Sequence, residues 1–81
     1  MLSRQEIIDL TNDRIAEVFE IEKDPILPQA SIAETLELDS ISLVDLISII
    51  HVDFHIPVTP EELTDFKTFN DIYDYIETHQ A

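Results

Sequence analysis

The chain has 81 residues, enough for one domain whose core is only just large enough to fold alone. Eighteen Asp and Glu against four Lys and Arg leave a formal charge of −14, a field that repels nucleic acid and anionic membrane and steers the chain toward basic protein surfaces. The absence of cysteine excludes disulfides, thiolate metal sites and thiol catalysis.

High net charge is also a mark of disorder, but 44% of the residues are hydrophobic and recur at helical spacing, which predicts a folded domain. No apolar run approaches the roughly 18 residues of a membrane span, and the amino terminus lacks the basic-then-apolar layout of a secretory signal. A cytoplasmic, monomeric protein is expected. Glycine is absent, so positive-φ turns are expected to use Asn or Asp, or to be avoided in favour of ordinary turns. Tight hairpins and glycine-rich phosphate loops are unfavourable for the same reason.

Ser3-Arg4-Gln5-Glu6 is a capping-box pattern. Behind it Ile7, Ile8, Thr11, Ile15, Val18 and Phe19 recur at intervals of three and four, predicting one buried stripe on a helix that ends at Phe19 or Glu20. Pro25 and Pro28 then predict an extended connection. That connection holds Ile26, Leu27, Ile32, Leu36 and Leu38, too many apolar groups for a free linker, and should lie across the bundle with several of them buried. Asp39 is a good N-cap for a second helix reaching Phe54, with Leu43, Leu46, Ile47, Ile50 and Phe54 on its core arc. Its outward arc contains Ile41, Asp45, Ser48 and Val52. Thr59-Pro60-Glu61-Glu62 supplies a cap, a proline at the first helical position and a glutamate at the third, predicting a short helix over residues 60–65 that contributes Leu63 and Phe66. Thr68 should cap a last helix whose buried stripe is Phe69, Ile72, Tyr73 and Ile76. No segment alternates with period two for long enough to predict a strand. The expected fold is all-α, a small bundle of three main helices plus one short helix, with a long connection between the first two.

Chemistry-bearing residues are few. His51 and His55 are four apart on the second helix, a spacing that can ligate metal, but Phe54 lies between them, Pro57 follows and no third ligand is evident; surface histidines are expected and no metal. The acidic clusters at residues 20–24 and 61–65 lack the spacing of a dedicated cation loop. Tyr73 and Tyr75 are explained by packing and by exposure. No nucleophile–base–orienter set is present, so the chain is not expected to be an enzyme.

Ser40 stands out by its company. A serine in the first turn of a helix ordinarily does no more than help to cap it. Here Ala30-Ser31-Ile32, Leu36, Asp39-Ser40-Ile41 and Val44-Asp45-Leu46 follow in order, then Phe54 with Ile56-Pro57, Asp74-Tyr75-Ile76 and a closing His79-Gln80-Ala81. This ordered set, spanning essentially the whole chain, resembles the acyl carrier proteins of the discrete bacterial type. The resemblance implies 4′-phosphopantetheine attached covalently to Ser40 by a phosphopantetheinyl transferase using coenzyme A and Mg²⁺. It further implies that acyl intermediates are held as thioesters and delivered to loading, elongating or transferring enzymes of fatty-acid, polyketide or related specialised biosynthesis. An exposed, rigidly held first-turn serine suits such a modification, and the helix dipole favours an anion there. Asp39, Ile41, Val44, Asp45, Ser48 and Val52 are the expected partner-docking residues, facing basic or apolar patches.

The chain departs from the family pattern at three places. Glu37 stands where glycine is usual two residues before the aspartate. Ser42 follows the Asp-Ser-Ile triplet where an acid is common. Ser48, His51 and Val52 replace the usual Glu-rich end of the helix. The more apolar outward face has two readings, a central helix buried over a wider arc or a partner that docks by hydrophobic contact; the second is favoured and points to a specialised carrier. An acidic helical adaptor without a prosthetic group is the alternative from another functional class.

Overall fold

Local capping decides where each helix starts. The computed structural model describes residues 2–80. Ser3 opens α1 (Arg4–Phe19) with a reciprocal capping box: the Glu6 amide donates to Ser3 Oγ at 3.2 Å, and the Ser3 amide donates to Glu6 Oε1 at 3.0 Å. Asp39 opens α3 (Ser40–Phe54), accepting the Ser42 amide at 2.8 Å. Thr59 and Glu62 repeat the capping box before α4 (Pro60–Thr64). The first turn of α5 (Phe69–His79) is closed by Asp71, whose carboxylate accepts the amides of Lys67 at 2.8 Å and Thr68 at 3.1 Å. The all-α bundle of three long helices matches expectation.

The connection between α1 and α3 differs from it. Residues there are not extended throughout but form an additional short helix, α2 (Ile32–Leu36), capped by Ser31, which accepts the Glu34 amide at 3.3 Å. Ser31 and Glu34 are themselves spaced as in a capping box, so the local signal was present. This segment lies across the bundle as expected. An isolated antiparallel bridge joins Ser31 to Thr68, and the amides of Ile32 and Asn70 donate to the carbonyls of Lys67 and Pro28. The starts of α2 and α5 are thereby pinned to each other. Several apolar residues of the connection are covered, as expected: Ile26, Ile32 and Leu36 are buried and Leu38 is half-buried, while Leu27 is exposed.

One hydrophobic cluster links all five helices: Ile7 and Ile15 from α1, Ile32 and Leu36 from α2, Leu46, Ile49 and Ile50 from α3, Leu63 from α4, and the whole α5 stripe. α1 packs on both α3 and α5, and α3 on α4. Two details of the stripes depart from the periodic pattern. Val18 is exposed rather than buried, and Ile49 is buried although it lies outside the predicted α3 arc; Leu43, Ile47 and Phe54 are only partly covered. Thr11 is completely buried, with no partner for its hydroxyl among the described residues.

The absence of glycine is handled in an unexpected way. Glu20, Glu37 and His55, which close α1, α2 and α3, all adopt left-handed backbone with φ of 55°, 50° and 57°. None is Asn or Asp, contrary to the sequence expectation. A Cβ in this region is disfavoured by roughly 1–2 kcal/mol, yet the chain must reverse direction at these helix ends. Burial of the flanking apolar residues outweighs that local cost.

Three of the four Lys and Arg side chains act as internal ties. Arg4 joins α1 to α5 through Asp74 at 2.6 Å, Glu77 at 3.5 Å and Asn70, and its guanidinium lies 5.7 Å from the Tyr73 ring centroid. Arg14 joins α1 to α3 through Asp53 at 2.6 Å. Lys23 pairs with Asp13 at 2.7 Å. Most of the eighteen carboxylates therefore face solvent without an ion-pair partner among the described residues.

Candidate functional site

Ser40 is the first residue of α3 and is exposed. Its Oγ takes part in no hydrogen bond among the described residues, unlike the hydroxyls of Ser3 and Ser31, which each accept a helix amide. Asp39, one residue earlier, is held below the ordinary carboxylate range because the Ser42 backbone amide, and then other amides of the turn, donate to its charged form. Asp39 thus supplies the negative charge that the dipole end of α3 favours. The free amides and the dipole consequently offer a second anion at Ser40 less than the sequence suggests, and what remains in favour of modification is access and rigidity. Those two properties come from the αL turn at Glu37 and the cap at Asp39, which place Ser40 exposed at the start of α3.

Every expected docking residue is exposed: Asp39, Ile41, Val44, Asp45, Ser48 and Val52. Ile41, Val44 and Val52 retain 75%, 61% and 62% of their accessible surface. Steps of 4, 3 and 4 from Ile41 reach Asp45, Ser48 and Val52, so these lie on one strip of the helix that begins beside Ser40, with Val44 at its edge. The apolar character of this face is real exposure and not a wider buried arc, which answers the question the sequence left open.

The other candidates separate from the site. His51 is exposed on α3, and His55 is exposed in the αL residue beyond it, so the two no longer share regular helical spacing. No group of three or more metal-capable side chains gathers among the described residues. Tyr73 is fully buried and donates its hydroxyl to Asn12 Oδ1, and desolvation pushes that hydroxyl above its ordinary pKa. Tyr75 donates to Glu62 Oε2 at 2.9 Å and to the Pro57 carbonyl at 3.2 Å, and its ring stacks on His79 with centroids 4.0 Å apart. These contacts brace α5 against α4 and lie apart from Ser40. Arg14 and Asp53, beside the far end of the α3 strip, were not singled out by sequence, and Val18 only as part of the α1 stripe; their separations in sequence are too large for any local pattern to bring α1 and α3 together.

Comparison with known proteins decides what kind of site this is. Residues 12–76 match the family described as a phosphopantetheine attachment site. The acyl carrier protein of Lactobacillus acidophilus is 34% identical over 80 residues, covering 99% of this chain and 100% of that protein. The chain belongs to the acyl carrier protein family. The acyl carrier protein of Thermosynechococcus vestitus is 29% identical, with 99% of each chain covered, and that of Phytoplasma mali is 40% identical over 65 residues, 80% of this chain and 77% of its own. The chain is accordingly a carrier of covalently attached 4′-phosphopantetheine and not an enzyme, and the alternative of an adaptor without a prosthetic group falls. Proteins of this family work with a phosphopantetheinyl transferase and with acyl-handling enzymes. No described helix is long and apolar enough to cross a membrane.

Proposed function

We propose that Ser40 is the attachment residue and that the single domain serves as a specialised, monomeric, cytoplasmic acyl carrier. The observation that carries the assignment is the free, exposed Ser40 Oγ at the rigid start of α3. Among the five serines, Ser3 and Ser31 are committed to caps, Ser42 is half-buried and Ser48 lies mid-helix. In the modification, Ser40 Oγ forms a bond to the β-phosphorus of coenzyme A and loses its proton. The pyrophosphate P–O bond breaks and 3′,5′-adenosine bisphosphate leaves. When attached, the group supplies a thiol that holds an acyl chain as a thioester on a tether, which raises its local concentration at each docked enzyme.

Asp39, Ile41, Val44, Asp45, Ser48 and Val52 form the face that partners read in this proposal. Asp39 and Asp45 contribute to a long-range field that accelerates encounter with basic surfaces, and Ile41, Val44 and Val52 contribute apolar contact once docked. Serines at 42 and 48 and a histidine at 51, where carboxylates are common, support a partner less dependent on charge than that of a general fatty-acid carrier. Cargo is therefore assigned to a specialised acyl pathway, with fatty-acyl and polyketide chains both within its chemistry.

Incubation with a broad-specificity phosphopantetheinyl transferase, Mg²⁺ and coenzyme A tests the site. Intact mass should rise by one phosphopantetheine, and the modified peptide should contain Ser40. Ser40→Ala should abolish the gain while leaving the helical spectrum unchanged, because Asp39 still caps α3. Modification of a peptide lacking Ser40 refutes the assignment.

A further inference from the structure

The apolar strip on α3 does not stop at that helix. Val18, which the periodic pattern places in the apolar stripe of α1, is instead 39% exposed. It shares a shallow groove of about 150 Å³ with Val52, Ser48, Ile49, Asp45 and Arg14. The bond from Arg14 Nε to Asp53 at 2.6 Å holds α1 against α3 beside this groove, so its two walls are fixed relative to each other. Arg14 also lies 3.6 Å from Glu17, which leaves its charge largely satisfied, whereas Asp45 has no ion-pair partner among the described residues.

Resting on the carrier reading of Ser40, we propose that the docking surface runs from Ile41 along α3 and across the groove onto Val18 of α1. Its occupant is a partner-protein segment that presents apolar side chains flanked by lysine or arginine. Charge complementarity selects this occupant. The chain carries −14, and Arg4, Arg14 and Lys23 are engaged in internal pairs, so the groove sets Val18, Ile49 and Val52 beside polar side chains in a net acidic field. A second copy of this chain would bring the same net charge to the contact and be repelled. A purely basic segment would leave Val18, Ile41 and Val52 in water, forgoing the burial that an apolar segment provides.

An amphipathic leucine–lysine helical peptide, titrated into the ¹⁵N-labelled full chain, tests the proposal. Amide shifts should change at Val18, Ser48 and Val52 as well as along residues 41–45. Val18→Glu and Val52→Glu should each weaken binding by about fivefold, the equivalent of roughly 1 kcal/mol. Each adds a carboxylate that would strengthen attraction to the lysines, so weakening isolates the apolar contact. Val18→Ala, which retains helix propensity, should weaken binding in the same direction. Leu27→Glu, exposed in the connection pinned to the start of α5, should leave it unchanged. Binding of Val18→Glu as tight as that of the unsubstituted chain overturns the extension onto α1. Equal affinity for a peptide with every leucine replaced by serine overturns the apolar component. Loading of Ser40 by the transferase, read by mass on the same samples, is independent: its failure in the unsubstituted chain defeats the attachment assignment, whereas successful loading with a neutral Val18→Glu defeats only the extended surface.

Discussion

α3 and α5 both cross the core, yet they distribute their apolar residues in opposite ways. In α5, Phe69, Ile72, Tyr73 and Ile76 are all buried, Tyr75 is partly covered by Phe66 and His79, and Asn70, Asp74 and Glu77 face water. α3 buries Leu46, Ile49 and Ile50 just as completely but leaves Ile41, Val44 and Val52 exposed. Fully burying a Val or Ile side chain stabilises by about 1.5–3 kcal/mol relative to exposure, and three such opportunities on α3 are left unused. Core formation accounts for every apolar position of α5; it does not account for those of α3. The surplus begins next to Ser40, which is where a docked enzyme must approach.

The sharpest break of this comparison comes from a core position on α3. Ile50→Glu should cost more than about 4 kcal/mol and unfold the bundle, because it buries an unpaired charge in the core. Circular dichroism at 25 °C would show the loss, and a cooperative native melt for this variant would mean that the assigned core of α3 is wrong.

A smaller effect is expected where α5 is closed. Asp71→Ala should destabilise by about 1 kcal/mol in thermal or urea unfolding, the usual loss for a helix cap. Acid should act at the same place. The Lys67 amide, then the Thr68 amide, hold Asp71 below the ordinary carboxylate range, and Glu62 is held down by Tyr75 and then Thr59. A depressed carboxylate contributes stability that is present above its unfolded-state pKa of about 4 and is lost as pH falls through the lower folded-state value. Amide exchange at Lys67 and Thr68 should therefore accelerate, at matched chemical rates, as pH drops below about 4. Asp71→Ala should show no such acceleration at those two amides; if it does, the cap is not what titrates.

The comparison sharpens further at the turn that delivers α3. Glu37→Gly removes the left-handed penalty and should raise stability by about 1 kcal/mol, the low end of that penalty because glycine also loses more chain entropy. Loss of stability in urea melts would show that the Glu37 side chain contributes more than its backbone conformation costs.

The smallest effect on folding belongs to the surface strip. Val52→Glu should change stability by no more than about 0.5 kcal/mol. A loss approaching that of Ile50→Glu would mean that the outer face of α3 is core, and the contrast with α5 would vanish.

How much of this was legible beforehand follows from the range of each interaction. Helix starts at Ser3, Asp39 and Thr59 depend on hydrogen bonds three residues away, so the residue types alone announce them. The α5 stripe was equally plain, since its apolar residues occupy one face and no other. Ser40 was legible from the ordered motifs around it and from the cap that fixes it at the head of a helix. α2 was obscured by Pro25 and Pro28, which mark the connection as irregular, although Ser31 and Glu34 carried its capping signal.

Only the tertiary structure decided the rest. Glu20, Glu37 and His55 are left-handed because the packed helices require reversals there and the chain contains no glycine to make them; nothing local to a glutamate calls for positive φ. Val18 is exposed and Ile49 buried because coverage depends on where the neighbouring helix lies, not on the period of the helix that carries the residue. Arg14 reaches Asp53 across 39 positions of sequence, a pairing fixed by how α1 settles on α3. Hydrogen bonds within a turn are encoded by adjacent residues, whereas helix reversals, surface grooves and interhelical ion pairs arise from the balance of burial over the whole bundle.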